Sequence, residues 1–416
     1  MAKVAKDHIM AAVVGSAGSG MTTIVEAVLH RAGAIPRPGT IAEGNTVSDF
    51  QPEEVARQTT LTPSLTYLDW TDENGTDHAV TLADTPGHPD FIGGVDSVLS
   101  AADLAVIVVS AVAGVTAGTR AGWAAADAAG RPRIVLITCA DRPQADFRKV
   151  LKDLRNSFGD HLFAVQLPIG EEENFTGIAD VLSKRAMSLD ANGKVFIKDL
   201  PSDIADEAEE LHMEATENIV ENDEDLMMAY LEGEEPSVED LEKNLAEQVA
   251  AGNAVPVIVA SGVTETGVDR FIDVLCRVQP QVSGRDFTII ADDGTEMKIA
   301  QDAEGEPILY CFQTVADKYG QVSVFRVLSG TVRKGDKLRN ATTGTEERLG
   351  DLFRLRGSEH IEVDSLSAGD VGGVAKLKDT PAASLLWSRS ERATAPALPT
   401  RAPVFSVVLK PATQAD

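Results

Sequence analysis

Apolar residues come along this chain in short runs, most of them followed by a turn and then by residues spaced three and four apart. The run Ile9 to Val14 leads into the glycine-rich Gly15 to Thr23 and then a helical pattern from Ile24 to Ala32, with apolar positions at Ile24, Val25, Val28 and Leu29. The polar, glycine-rich stretch from Ala34 to Gln58 has little periodicity and predicts a long, mobile loop. Thr66 to Trp70 and His78 to Ala83, joined by a turn at Asn74-Gly75, predict a hairpin that rises into Asp84-Thr85-Pro86-Gly87-His88. A helix over Phe91 to Ala101, a strand over Leu104 to Ser110, a helix over Gly118 to Ala129 and a strand over Arg133 to Thr138 follow, ending in Cys139-Ala140-Asp141. This alternation predicts an α/β fold with a doubly wound parallel sheet and its ligands at the carboxyl ends of the strands.

After Pro168 the alternation weakens. Residues from about Gly170 to Gly252 read as an acidic, helix-rich insertion, with helices over Ile204 to Ile219 and Ser237 to Ala251, before a strand returns at Val255 to Ser261. A closing helix, Val268 to Val278, meets the boundary signal Gln279-Pro280. From about Glu306, short runs with period-two alternation broken by glycine turns predict an all-β barrel. The run Val404 to Leu409 follows the prolines at 396, 399 and 403 and predicts either the start of a third domain or a strand docking back on the barrel. The expected division is residues 1–282, with the insertion at about 170–252, then 283–395, then 396–416.

The net charge of −28 would argue against nucleic acid if it were spread evenly, but it is local. Between Pro201 and Ala250 there are 18 acidic residues and one lysine, Lys243, so this stretch holds −17 of the total. Attraction to a polyanion follows the local patch. Arg326, Arg333, Lys334, Lys337, Arg339, Arg348, Arg354 and Arg356 form the densest basic stretch, open to two readings: solvated strand edges or phosphate contacts. The charged opening residues encode no signal peptide, and the longest apolar run, Leu104 to Val115, is too short to span a bilayer. Cys139, Cys276 and Cys311 make neither a disulfide framework nor a metal spacing, so a cytoplasmic, monomeric protein without a membrane partner is expected.

Gly15, Ser16, Ala17, Gly18, Ser19, Gly20, Met21, Thr22 and Thr23 sit between a strand and a helix, where backbone N–H groups and a helix N-terminus cradle an anion. The phosphate-loop pattern G-x-x-x-x-G-K-[ST] fits at Gly15, Gly20 and Thr22, but Met21 stands where a lysine reaches the β- and γ-phosphates. The loop is present and its fixed charge is absent.

Taken in order, G-S-A-G-S-G-M-T, E-E-V-A-R-Q-T-T-L, D-T-P-G-H, T-C-A-D, A-S-G-V and S-G-T-V-R-K-G-D resemble the translational GTPases, and among them the elongation factor G family through its first two domains. The resemblance implies a P-loop GTPase-type domain with an insertion and a translation-factor β-barrel, with GTP or GDP and Mg²⁺ as cofactors. It also implies a ribosomal partner: ribosomal RNA for the barrel, and basic ribosomal elements or stalk proteins for the acidic insertion. On this resemblance Gly15, Gly18 and Gly20 shape the loop, Thr22 and Thr60 place hydroxyls on Mg²⁺, and Asp84 holds the metal through water. Gly87 donates its N–H to the γ-phosphate, His88 orients the attacking water, and Thr138, Cys139, Asp141, Ser261 and Gly262 surround the guanine. Phosphoryl transfer asks little of a protein beyond such positioning and electrostatic stabilisation.

The departures are equally specific. Met21 replaces the lysine, Gln58 and Thr59 replace the Gly-Ile of the first switch, Thr138 and Cys139 replace the Asn-Lys of the guanine motif, and Gly262 replaces an alanine. A lost charge-assisted phosphate contact costs ~1.5–3 kcal/mol, and with a lost base contact the affinity falls by roughly two to three orders of magnitude. Two readings of function follow: a GTPase coupled to ribosomal translocation or a related step, or a nucleotide-site-degenerate paralogue that serves as a ribosome- or protein-binding module. Whether the chain is an efficient enzyme stays open at this level.

Overall fold

The computed structural model describes residues 7–221, 223–278, 286–317, 320–399, 406–408, 410, 411 and 413. The first domain opens with strand β1 (Asp7–Gly15) and helix α1 (Met21–Arg31), then a short helix α2 (Pro52–Arg57). Next come β2 (Ser64–Thr71), β3 (Asp77–Asp84), α3 (Ile92–Ala101), β4 (Leu104–Ser110), α4 (Ala117–Ala128), β5 (Arg133–Thr138), α5 (Phe147–Phe158) and β6 (Leu162–Ala164). After the segment β7 (Gln166–Ile169), β8 (Gly177–Asp180), β9 (Arg185–Leu189), β10 (Val195–Asp199), α6 (Ala205–Val220), α7 (Glu224–Leu231) and α8 (Val238–Ala251), the domain closes with β11 (Val255–Val259) and α9 (Val268–Arg277).

Strands β3, β1, β4, β5, β11 and β6 pair in parallel in that order, and β2 adds antiparallel to β3. Each of β1, β4 and β11 is an unbroken apolar run because helices cover both of its sides, leaving Ile9 to Val14, Leu104 to Val109 and Val255 to Val259 buried. The doubly wound sheet is thus as the pattern predicts, and the loops after β1, β3, β5 and β11 gather at one edge.

Two expectations need correction. The insertion is not uniformly helical: its first half is an antiparallel sheet ordered β10-β9-β8-β7, whose strands are too short and mixed in polarity to stand out in the sequence. The stretch from Ala34 to Gln58 is not a free loop either. Glu26 of α1 accepts the Gly39 and Val47 N–H groups at 2.7 and 2.6 Å, and α2 starts with a capping box in which Gln51 and Glu54 bond reciprocally.

The second domain contains β12 (Asp286–Ala291), β13 (Glu296–Ala300), β14 (Ile308–Asp317), β15 (Gly320–Ser329), β16 (Thr331–Arg333), β17 (Lys337–Asn340), β18 (Glu346–Arg348) and β19 (Leu352–Arg356). It ends with β20 (Glu359–Val363), β21 (Ser365–Ser367), β22 (Val371–Ala375), β23 (Ser384–Trp387) and β24 (Ala393–Thr394). The β texture therefore begins at residue 286, earlier than expected. The boundary signal Gln279-Pro280 lies outside the described residues, as do Val404 and Leu409, and residues 406–408 carry no strand.

In β14, Leu309 and Cys311 face a core enclosed by the second domain, while Ile308, Tyr310 and Phe312 join the core shared with the first. The two domains also share backbone pairing, since Arg356 of β19 pairs with Thr66 of β2. Polar contacts close the junction. His8 Nδ1 lies 2.6 Å from Asp370 Oδ1, Arg326 reaches Asp103 at 2.6 Å, and Arg354 bonds Asp370 at 2.9 Å with its guanidinium over the Tyr67 ring. Arg326, Arg354 and Arg356 are consequently committed to the domain junction, and only Arg333, Lys334, Lys337, Arg339 and Arg348 of the basic stretch remain on the surface.

Candidate functional site

The loop from Gly15 to Gly20 turns tightly out of β1 and delivers the chain to α1. Gly20, the residue before the helix, has φ +88°, a left-handed conformation that glycine adopts without penalty, and Gly18 has φ +79°. No side chain caps α1, so the N–H groups of its first turn, at Met21, Thr22 and Thr23, are available to an anion. The other loop residues hold one another in place. Ser16 bonds the Thr116 hydroxyl, Ser19 N–H donates to the Ser16 carbonyl at 3.0 Å, and Ala17 N–H donates to the Gly87 carbonyl at 3.0 Å. A Cβ at Gly87 would collide with the Ala17 nitrogen, so only glycine lets the strand end reach the loop.

Met21 is buried, its sulfur lying near Gly15 on the inner side of the loop. The thioether follows the loop inward, but it brings no charge to where phosphate oxygens would lie.

Beside the loop, Thr22 Oγ1 and Thr60 Oγ1 approach to 3.3 Å, both buried. Thr60 is held there by Glu54, whose carboxylate accepts the Leu61 and Thr62 N–H groups at 3.0 and 3.1 Å. Asp84, at the end of β3, is completely buried, with the Thr22 and Ser48 hydroxyls as its polar neighbours and no well-formed hydrogen bond among the described residues. Burial first, then the neighbouring Asp49 carboxylate, pushes Asp84 up to about 7, against the pull of the Thr22 and Ser48 hydroxyls. Asp49 is raised mainly by burial too, with the Thr60 hydroxyl opposing. Orphaned carboxylates beside paired hydroxyls form a set of hard oxygen donors, and such a set fits Mg²⁺.

Sequence reading missed Asp49, Ser48, Glu26 and Glu54. Only the Gln51 to Glu54 capping spacing could have flagged one of them.

Thr85 anchors the strand end by donating to the Val13 carbonyl at 2.7 Å. His88 caps the following turn; its side chain is 53% exposed, and Nδ1 lies 3.5 Å from Asp90 Oδ2. On the base side, Thr138 donates to the Ser19 carbonyl, and Cys139 is half-buried in a left-handed conformation, φ +57°. Asp141 is half-buried, with no hydrogen bond or ion pair among the described residues. Ser261 is buried and accepts the Val263 and Thr264 N–H groups, so its hydroxyl serves its own turn. A Cβ at Gly262 would lie 2.7 Å from the Thr23 carbonyl oxygen, so the departure from alanine lets this turn close on α1. The structure therefore brings all these segments to one edge of the sheet. A cleft of about 770 Å³, lined by Asp103, Arg131 and Arg326 among others, contains no residue of the loop.

The chain matches a family model described as the elongation factor Tu GTP binding domain over residues 6–281, and one described as elongation factor G domain 2 over residues 309–384. It is 32% identical over 401 residues to elongation factor G 2 of Vibrio parahaemolyticus, a match covering 94% of this chain and 57% of that protein. A crystal structure of a Thermus thermophilus protein superposes with a TM-score of 0.82 at 33% identity, over 95% of this chain and 56% of that one. The chain thus spans little more than half the length of these relatives. Among the described residues, no helix is long and apolar enough to cross a membrane.

Proposed function

Because this chain belongs to the translational GTPases of the elongation factor G type, we propose that it binds a guanine nucleotide with Mg²⁺ at the Gly15–Thr23 loop and acts on the ribosome, hydrolysing GTP slowly. The observation that carries this reading is the approach of the Thr22 and Thr60 hydroxyls over buried Asp84, next to the uncapped amides of the loop.

In this reading the first-turn N–H groups of α1 hold phosphate oxygens, and Gly87 abuts the loop from the β3 side. Thr22, Thr60 and Asp84 would hold the Mg²⁺, which supplies charge neutralisation on the phosphates. Asp141 accepts hydrogen bonds from the guanine edge. His88, exposed beside the loop, is free to turn Nε2 toward an attacking water. Met21 contributes no charge to the transition state, which is why the chemical step is slow. The exposed basic side chains from Arg333 to Arg348 serve ribosomal RNA, and the acidic insertion serves basic partners.

The test is calorimetric titration of the full chain with GDP and with a non-hydrolysable GTP analogue in Mg²⁺, beside Met21→Lys. Measurable binding by the unsubstituted chain, tightened by roughly one to two orders of magnitude in the variant, supports the reading. No binding in either form overturns it and leaves a ribosome-binding module without a nucleotide.

A further inference from the structure

We propose that the pocket between the sheet of the insertion and helix α9, walled on one side by Trp70, binds a small organic cation, a primary amine on an apolar body.

The pocket holds about 310 Å³, within the range of small-molecule sites. Three parts of the first domain meet there: the end of β2 with the turn after it, strands β8 to β10, and α9 with the turn before it. None of the residues assigned to nucleotide or Mg²⁺ lines it, so the site is additional to the proposed function. Trp70, Ile178, Met187, Leu189, Val195 and Ile197 supply apolar walls, and Ile197, 58% exposed, stands at the mouth.

Two polar atoms set in these walls lack partners. Ser188 is 7% exposed, and its Oγ meets no hydrogen-bond partner among the described residues. Asp273 is 6% exposed; Oδ1 accepts the Trp70 indole N–H at 2.8 Å, and Oδ2 accepts no hydrogen bond among the described residues. Buried polar groups are almost always paired, so both atoms point to a donor from outside the chain.

Charge decides which donor. Beside Asp273, the Arg270 guanidinium reaches Asp180, Glu242 and Glu73 at 2.7, 2.8 and 3.0 Å, and Arg277 bonds Glu73 and Glu242. With Asp273, four carboxylates therefore face two guanidinium groups, and the excess is negative. The other carboxylates of the lining have partners of their own: Asp72 meets His78, Glu265 meets His30, and Asp269 meets Arg31. Burial pushes Asp273 up to about 6, so it is ionised at pH 7. An ammonium group donates to Asp273 and Ser188, gains a cation–π attraction from Trp70, and leaves its apolar body against the walls. An anion of the same shape is repelled.

The test contains no nucleotide. The full chain is titrated with phenethylammonium chloride, followed by saturation-transfer NMR and by thermal unfolding. Hydrocinnamate carries a similar body with the opposite charge, ammonium chloride carries the charge without the body, and a Lys-Phe-Lys-Phe peptide presents the amine from a protein chain. The expected result is one saturable site and a higher unfolding midpoint with phenethylammonium, and neither with hydrocinnamate or ammonium chloride. Asp273→Asn keeps an acceptor for Trp70 but removes the charge, and lowers the affinity at least tenfold, about 1.4 kcal/mol. Ile197→Lys alters an exposed side chain, sets a competing cation at the mouth and lowers the affinity likewise. Ser188→Ala lowers it in the same direction. Absence of saturable binding overturns the proposal, as do equal binding of hydrocinnamate and an affinity that neither Asp273→Asn nor Ile197→Lys changes. Tighter binding of the peptide than of the free amine overturns it in favour of a docking site for a basic segment. Each outcome is independent of whether GDP binds in the earlier titration.

Discussion

Thr138 Oγ1 lies 2.5 Å from the Ser19 carbonyl oxygen to which it donates, so a single hydroxyl ties the end of β5 to the phosphate loop. An asparagine amide has two N–H donors and can make such a tie while offering one to a base. Threonine has one, and it is spent.

Thr138→Val removes that donor at nearly constant volume and leaves the Ser19 carbonyl unpaired. A loss of about 1–2 kcal/mol is expected in urea denaturation, together with weaker GDP binding. Thr138→Asn restores the second donor, and in competition titrations GDP should then gain on ADP. An unchanged GDP-to-ADP ratio would contradict the assignment of this strand end to the base.

Gln58 occupies a left-handed position, φ +53°, at the C-terminus of α2. Glutamine pays a steric cost there that glycine avoids. Gln58→Gly should raise stability by about 0.5–1 kcal/mol after the greater chain entropy of glycine is deducted, read as a shift in the urea midpoint.

Asp273 accepts the Trp70 indole N–H at 2.8 Å and is pushed up to about 6, chiefly by burial, with Glu73 adding to the shift and Arg270 and Arg277 opposing it. The folded state therefore holds a proton that the unfolded chain releases near 4, so stability falls as pH rises from about 4 to 6 and stays reduced above that. At ~1.36 kcal/mol per unit, the loss is about 3 kcal/mol. Asp273→Asn keeps an acceptor for Trp70 and should flatten this slope in unfolding curves at pH 4 to 7, raising stability at pH 7.

Arg326 and Asp103 form a buried pair across the domain junction, with Arg326 also donating to the Ala101 carbonyl. Arg326→Met leaves the buried Asp103 charge without its counter-ion, with the Met10 N–H still donating to Oδ2, and should cost about 3 kcal/mol. Adding Asp103→Asn should recover part of that, a non-additivity read from a double-mutant cycle.

The frame of the fold was legible because its signals are local. Ile9 to Val14, Leu104 to Val109 and Ile134 to Ile137 are unbroken apolar runs, and Asn74-Gly75 marks its turn. The antiparallel sheet of the insertion was not legible, since Gly177–Asp180 and Val195–Asp199 are short and mixed in polarity. In the site, the loop and Asp84-Thr85-Pro86-Gly87-His88 announce themselves by spacing. Asp49 and Ser48 do not, because only the folding of residues 34–60 against β3 brings them to Asp84, and nothing in their neighbours fixes that path. The basic stretch misled for a related reason: sequence shows that Arg326, Arg354 and Arg356 are charged, not that Asp103, Asp370 and the Ala34 carbonyl await them.

The pairing of Arg356 with Thr66 places β19 beside the strand that follows the first switch, and Arg356 also reaches the Ala34 and Tyr67 carbonyls while Gly357 N–H donates to Leu65. Ala34 and the start of β2 are thus fastened to the barrel. Any swing of the barrel away from the first domain must first unzip this seam, and any lifting of residues 34–47 tugs on the same guanidinium. The seam between the domains therefore runs through the sheet itself, so that parting them breaks backbone pairing as well as side-chain contacts.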